Sequence, residues 1–415
     1  MRILSGIPRY DSAAMGNRIH TEVIAVWRRH GVQAEVLALA AGQSTLTTTL
    51  EEGIVVHRLP VSRGLPLKLA NRALALLLPY PYLAGAVLQL RHLLDRQRYD
   101  LAHIETAFPL GLAAALLSQR TAPPLAITLP GADIMAEPEF DYGYGRFRAV
   151  RALLPWVFRR AALLRADSPQ LRELALRLGA DPAKLVAIPY NITADSFPPP
   201  GDLATLRHDS RAMIVARHGL DPERPIVVSL NRLHPFKGIA YLVDALPVVQ
   251  RAGLAPQLLI VGPNRTTPRF GDYGAYLTRR AQALGVAPDT ILVGGVPHTE
   301  TMSYMAAADL AVVPSVAESF SRVVVEAAAV GTPPIVTRTT GVSDYVAAAA
   351  AGRVVDPRSG TAIAEAMIEL LSDRAAWSAC SRQALTLAAD FSSERIATAL
   401  LELYRSIPGL PNHVA

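Results

Sequence analysis

The stretch Ser315–Pro334 reads SVAESFSRVVVEAAAVGTPP, with two carboxylates, Glu318 and Glu326, eight positions apart. Upstream, Asp309–Ser315 (DLAVVPS) is a short apolar run, expected as a buried strand ending in a turn. Downstream, Gly331 and Pro333 stop the helix that the run after Ser321 begins. The order is strand, loop, helix, with Glu318 in the loop and Ser319 and Ser321 near the helix start. A helix start presents unpaired N–H groups and a partial positive charge, which suits a phosphate. Glu326 falls about a turn and a half inside the helix. From there it could accept hydrogen bonds from a ribose diol while the helix start holds a diphosphate. Glu318 would face whatever hangs off the far phosphate.

Working outward, the loop Asn231–Gly238 (NRLHPFKG) follows another expected strand, Pro225–Leu230, and carries Arg232 and Lys237. That is the carboxyl end of a parallel sheet, where such folds bind ligands. Two cations there can neutralise a leaving diphosphate, a task a divalent metal performs elsewhere. The chain has three lysines, Lys68, Lys184 and Lys237, against 38 arginines. Where Arg is the default cation, a Lys in a tight Pro-x-Lys-Gly loop points to a need for a compact charge. The plain alternative is a solvated pair of loop cations.

The 415 residues are enough for two or three domains, and a chain 51% hydrophobic and 18% charged is globular. Cys380 is the only cysteine, which excludes an internal disulfide or a cysteine-based metal site and fits a reducing compartment. Met1–Gly6 (MRILSG) is expected as an opening strand, not a leader peptide. The net charge is +6, and all of the excess lies in residues 1–197, with 22 basic against 16 acidic side chains. Arg146, Arg148, Arg151, Arg159, Arg160 and Arg165 form a basic cluster that could meet anionic lipid or an acidic acceptor, or be a solvated face. No nucleic-acid recognition motif is present.

The chain opens as strand (Arg2–Gly6), loop, helix (Asn17–His30) and strand (Gln33–Leu39). The loop has no G-x-G-x-x-G, though Gly16 at the helix start could admit a phosphate. Ala73–Leu90 holds no charged residue, but Pro79 and Pro81 interrupt it. A buried helix pair is expected there, with an interfacial membrane segment as the rival reading. Strands are expected at Tyr99–Ile104, Leu125–Leu129 and Lys184–Ile188, and helices at Pro109–Gln119, Arg146–Arg165 and Pro169–Leu178. The Pro-rich run Pro198–Gly201 is the expected domain boundary. Alternation then restarts, with strands at Gln257–Val261, Thr290–Val293, Leu310–Val313 and Pro334–Thr337.

NRLHPFKG, ESFSRVVVEAAAVGTP and the C-terminal FSSERIATALLELYRSI resemble the donor-domain signatures of retaining glycosyltransferases of family 4. The resemblance runs over nearly the whole chain, including DLAHIE, AIPYNITADSF and HTETMSYMAAADLAVVPS. It implies the GT-B fold: two Rossmann-like doubly wound α/β domains facing across a cleft. The expected parts are an acceptor domain (1–197), a nucleotide-sugar donor domain (198–390) and a C-terminal helix (391–415) packing back on the first. By position, Arg232 and Lys237 would hold the diphosphate, Glu326 the ribose, and Glu318 the donor sugar. The backbone of Ser319, Phe320 and Ser321 would face sugar and phosphate, and Gly16 would lie in the N-terminal loop that reaches the donor. Departures lie mostly in the acceptor half: Pro130 stands where the family often has His, and His103 and Glu105 replace a His-x-His. Ser321 stands at a Gly-like position. His103, Glu105 and Asp133 are the acceptor-contact candidates.

The implied reaction is retaining, metal-independent glycosyl transfer from a UDP-, GDP- or ADP-sugar, with no cofactor. The acceptor would be a carbohydrate or lipid-linked hydroxyl in cell-surface polysaccharide or glycoconjugate synthesis, made in the cytoplasm or peripherally at the inner face of the membrane. Rival readings are a sugar phosphorylase, a nucleotide-sugar epimerase, or a non-catalytic binding protein of the same fold. Release of sugar 1-phosphate, a changed sugar without acceptor, or nucleotide binding without turnover would mark them.

Overall fold

Parallel strands cannot be joined by tight turns, and this chain places helices between most of its strands. The computed structural model describes residues 1–410 apart from 13, 63, 118–121 and 200. The chain divides into two units: Met1–Tyr190 with the segment from Ser393 on, and Asn191–Ser392. The crossing thus falls seven positions before the expected boundary at 197. Ile192 is fully buried and donates its N–H to the Phe391 carbonyl, so 191–197 is already held by the second unit. Of the Pro-rich run, Pro200 lies outside the described residues.

The first unit is built on an eight-stranded sheet: β1 (Arg2–Gly6), β2 (Gln33–Ala40), β3 (Thr47–Glu51), β4 (Ile54–Pro60), β5 (Leu101–Glu105), β6 (Leu125–Leu129), β7 (Leu163–Ala166) and β8 (Leu185–Ala187). Its order is β3-β4-β2-β1-β5-β6-β7-β8, parallel except for the β3–β4 hairpin. That hairpin was not expected; it turns on Glu52 and Gly53, both with positive φ. Residues 146–165 are also corrected. The helix is Arg148–Arg160, and β7 follows. Arg165 is therefore no surface cation: it is buried, donating to the carbonyls of Ile188 (2.9 Å) and Pro189 (2.6 Å). Arg148, Arg151 and Arg159 are exposed.

Three helices of this unit matter below: α1 (Met15–Arg29), α2 (Leu65–Ala75) and α3 (Leu83–Arg96). The uncharged run Ala73–Leu90 is the end of α2, a turn and the start of α3, so the expected helix pair exists. Only α3 buries an apolar face; the one buried residue of α2 is Asn71. No described helix is long and apolar enough to cross a membrane. The expected helix at Pro109–Gln119 is shorter: an irregular turn, Ala107–Gly111, kinked at the extended Phe108, leads into Leu112–Ala115, and residues 118–119 lie outside the described residues. The helix Ser393–Arg405 belongs to this unit: Trp27 Nε1 donates to the Ala397 carbonyl (3.0 Å), and its ring meets Tyr404 edge-on.

The second unit has six parallel strands: β9 (Ile226–Leu230), β10 (Gln257–Val261), β11 (Thr290–Gly294), β12 (Leu310–Val313), β13 (Pro334–Thr337) and β14 (Arg353–Val355). Every strand is flanked by helices, so both faces are apolar. Val227, Leu258, Ile260 and Val312 enter one core, and Ile226, Val228, Leu259 and Ala311 enter the other. The order is β11-β10-β9-β12-β13-β14, so sequential strands step away on opposite sides of β9. The direction of winding reverses between β9 and β12, and a doubly wound sheet opens its ligand crevice at the carboxyl ends of those two strands.

Candidate functional site

The loops that leave β9 and β12 carry Asn231–Gly238 and Ser315–Ser321. Backbone approach holds them together. Gly238 has φ +66, and a Cβ on it would lie 1.9 Å from the Pro314 carbonyl oxygen. The Val316 N–H donates to the Phe236 carbonyl at 2.8 Å. Lys237 is thereby brought onto Glu318, and the ammonium donates to the Glu318 carboxylate. Lys237 is 8% exposed, with its Nζ 4.9 Å from the centre of the Phe236 ring. Arg232 lies exposed on the same loop, and its guanidinium forms no ion pair among the described residues.

Glu318 is fixed from its other side as well. Its N–H donates to the Thr339 carbonyl (3.1 Å), and its carbonyl accepts from Gly341 (3.0 Å). The helix Arg322–Ala329 then starts at Ser321, which has φ +82 and makes no side-chain cap. With no acidic residue in the first turn, its free N–H groups face the loop that carries Glu318. Ser319 is half-buried, while the Phe320 side chain turns into the core against Phe391, so only its backbone borders the site.

Glu326 lies on that helix, 9% exposed, and lines a cavity of about 190 Å³ with Asp195, Ser196, His298, Thr301 and Met305. Burial lifts its carboxyl above the ordinary range and Asp195 adds to the shift, against the opposing charges of Arg322 and His298. A buried carboxylate in a small, mostly apolar cavity can accept hydrogen bonds from a diol that replaces its lost water.

Three polar groups that sequence reasoning did not single out as site residues stand beside these loops. Ser229 Oγ, Asn231 Nδ2 and Ser315 Oγ are buried without a hydrogen-bond partner among the described residues. Buried polar groups are normally paired, so orphans clustered at a switch point mark a place for a ligand. Their positions at the ends of expected strands were the available signal.

The first unit also opens at its winding reversal, between β1 and β5. A cavity of about 450 Å³ sits at the carboxyl ends of β1, β2, β4, β5 and β6. Tyr80, Tyr82, Phe108 and Tyr144 give it aromatic walls, and Arg9 and Asp133 are its charged residues. Asp133 accepts from the N–H groups of Ala107 (2.6 Å) and Gly131 (3.1 Å). Burial nevertheless pushes its carboxyl up to about 7. The other two acceptor candidates are not in this lining. His103 is packed between Trp27 and Tyr404, bonded through Nε2 to Thr128 (2.7 Å), and held down to about 4 by burial. Glu105 is 4% exposed and accepts from the Tyr190 hydroxyl at 2.5 Å. Gly16 lies exposed in the first turn of α1, where an added methyl would meet nothing within 4 Å.

Two families of known sequences match the two units. The description "Glycosyl transferase 4-like domain" matches residues 16–191, and "Glycosyl transferases group 1" matches residues 210–386. The chain is 30% identical to the putative teichuronic acid biosynthesis glycosyltransferase TuaC of Bacillus subtilis, over 77% of this chain and 71% of that protein. It is 33% identical to D-inositol 3-phosphate glycosyltransferase of Segniliparus rotundus, over 55% of this chain. The match covers 48% of that relative, so the chain spans about half its length. Among solved structures, Anabaena HepE in complex with UDP and glucose superposes with a TM-score of 0.71 at 21% identity, covering 98% of this chain and all of that one. With relatives matched along both doubly wound units, the chain belongs to glycosyltransferase family 4 and has the GT-B fold.

Proposed function

We propose that the protein transfers a sugar from a nucleotide-diphosphate donor to an acceptor hydroxyl with retention of anomeric configuration, in cell-surface polysaccharide or glycolipid synthesis. The observation that carries this reading is the Lys237–Glu318 contact beside an uncapped helix start, at the carboxyl ends of β9 and β12. It supports the reading because a cation, free N–H groups and a carboxylate side by side suit a diphosphate-sugar.

In this reading the bond between the sugar C1 and the β-phosphate oxygen breaks as the acceptor oxygen bonds to C1 from the same face. The acceptor proton passes to the leaving phosphate oxygen, so no protein base is required. Lys237, Arg232 and the N–H groups of Ser319–Ser321 stabilise the charge that builds on the diphosphate. They supply from the chain the positive charge that a metal ion supplies in other enzymes. Glu318 positions the donor sugar and faces its oxocarbenium character. Glu326 accepts from the ribose hydroxyls. The acceptor is a carbohydrate or lipid-linked alcohol, taken at the inner face of a membrane, and Asp133 in its aromatic-walled cavity is a candidate contact for it.

The experiment is turnover with a panel of UDP-, GDP- and ADP-sugars, with and without a chelator, followed by NMR of the product anomeric proton. The reading expects one nucleotide to be preferred, activity to survive chelation, and the donor's anomeric configuration to persist. Neither hydrolysis nor transfer from any donor would refute it.

A further inference from the structure

A surface helix of a folded protein buries its apolar stripe and shows its polar face to water. Helix α2 does the reverse. Its single buried residue is polar: Asn71 donates to the Val61 carbonyl (2.8 Å) and accepts from the Gly85 N–H (3.1 Å). Two of its four leucines, Leu65 and Leu69, point outward, while Leu67 and Leu74 are half-buried. Leu65 is 71% exposed and Leu69 59%, and the turn that follows adds Leu76 at 85% and Leu77 at 73%. At about 100° per residue, Leu65, Leu69 and the C-capping Leu76 fall on one face, and Lys68 and Arg72 fall within the same sector.

Charge says what covers this face. Residues 64–82, helix α2 with its N-cap and the turn after it, contain Lys68 and Arg72 and no Asp or Glu. Exposed leucines beside Lys68 and Arg72, with no acid on the same helix or turn, match the boundary of an anionic bilayer. There apolar side chains enter the acyl region and ammonium and guanidinium groups meet phosphates. A second copy of the same basic face would repel it.

We infer that α2 and the turn Leu76–Tyr82 form the surface by which this protein docks on an anionic phospholipid bilayer. The same turn supplies Tyr80 and Tyr82 to the wall of the 450 Å³ cavity, so docking would bring that cavity to the lipid headgroups. This deepens the reading of a membrane-borne acceptor, but the docking itself requires neither donor nor turnover.

The test is sedimentation of the full chain with vesicles of phosphatidylcholine alone, or of phosphatidylcholine mixed with phosphatidylglycerol. Binding to the anionic vesicles only is expected, falling with added salt. The double variants Leu76→Ser/Leu77→Ser and Lys68→Gln/Arg72→Gln should each lower partitioning about tenfold or more. All four positions are exposed, so the melting temperature and donor hydrolysis without vesicles should stay as in the parent. Equal binding to both kinds of vesicle, or no effect of either variant, would overturn the inference. So would an oligomer that dissociates on Leu76→Ser/Leu77→Ser while vesicles are ignored, because the face would then be covered by a second copy.

Discussion

Lys237 and Glu318 are 81 positions apart, yet the ammonium of one donates to the carboxylate of the other. If Lys237 holds the donor diphosphate, as proposed, it must leave Glu318 to do so, and the unpaired carboxylate then repels the diphosphate. Glu318→Gln should bind nucleoside diphosphates several-fold more tightly than the parent while turnover falls about 100-fold or more, as for a lost electrostatic stabiliser. Calorimetric titration with UDP, GDP and ADP, beside steady-state rates, separates the two effects. Weaker nucleotide binding in the variant would remove the exchange of partners. Lys237→Ala should instead lose kcat/KM by about 2–4 kcal/mol in transition-state stabilisation.

Ser321 holds φ +82 at the start of the helix Arg322–Ala329, a backbone region that glycine enters freely and serine does not. Its side chain makes no cap there to offset the strain. Ser321→Gly should stabilise the second unit by about 1 kcal/mol, a rise of about 2–4 °C in melting temperature for a unit of this size. A calorimetric scan decides it, and a lower melting temperature would show that the surrounding loops already relieve the strain.

The second unit was readable because its signals are local. Strand ends at Leu230 and Val313 set two loops, and Arg232, Lys237 and Glu318 fall within seven residues of those ends. Gln257–Val261, Leu310–Val313 and Pro334–Thr337 are continuous apolar runs, the pattern of strands covered on both faces. The first unit was harder for physical reasons. Strand β7 contains Arg165, whose charge made Leu163–Ala166 read as the end of a basic helix. The carbonyls of Ile188 and Pro189, just past β8, and the Tyr190 ring 4.7 Å from the guanidinium explain how it is buried there. His103 and Glu105 were acceptor candidates because they stand where the family resemblance has a His-x-His. Their partners Thr128 and Tyr190, 25 and 85 positions away, are not visible in a linear reading.

Glu35 ties three parts of the first unit together. His57 Nε2 lies 2.9 Å from its carboxylate, the Tyr99 hydroxyl 2.7 Å and Arg2 Nε 3.0 Å. Burial alone would raise this carboxyl, but the hydrogen bonds from His57, Tyr99 and Arg2 outweigh it and hold it at about 2. A carboxylate depressed on folding contributes stability that is present in full above its ordinary value of 4.5 and lost as pH falls toward about 2. Glu35→Gln should therefore lower the melting temperature at neutral pH, with the difference from the parent shrinking through that window. A difference that is the same at both ends of the window would mean that packing, not charge, carries the effect.

The sign is opposite for Glu326. Burial raises its carboxyl, so at mildly acidic pH a fraction is protonated where an ordinary glutamate would be fully charged. A protonated carboxyl offers a donor hydroxyl group and one acceptor fewer to a ribose diol. If Glu326 holds the ribose, the KM for the donor should fall as pH rises above the ordinary carboxylate range and then level off. Glu326→Gln is uncharged at every pH. It should raise the donor KM by about tenfold to a hundredfold, the loss of about 1.5–3 kcal/mol for a hydrogen bond to a charged group. It should also flatten the pH dependence, leaving kcat less affected than KM. Donor titrations across pH for parent and variant give the comparison. A pH-dependent KM that survives in Glu326→Gln would place the titrating group elsewhere, with Asp195 at the same cavity the next residue to replace.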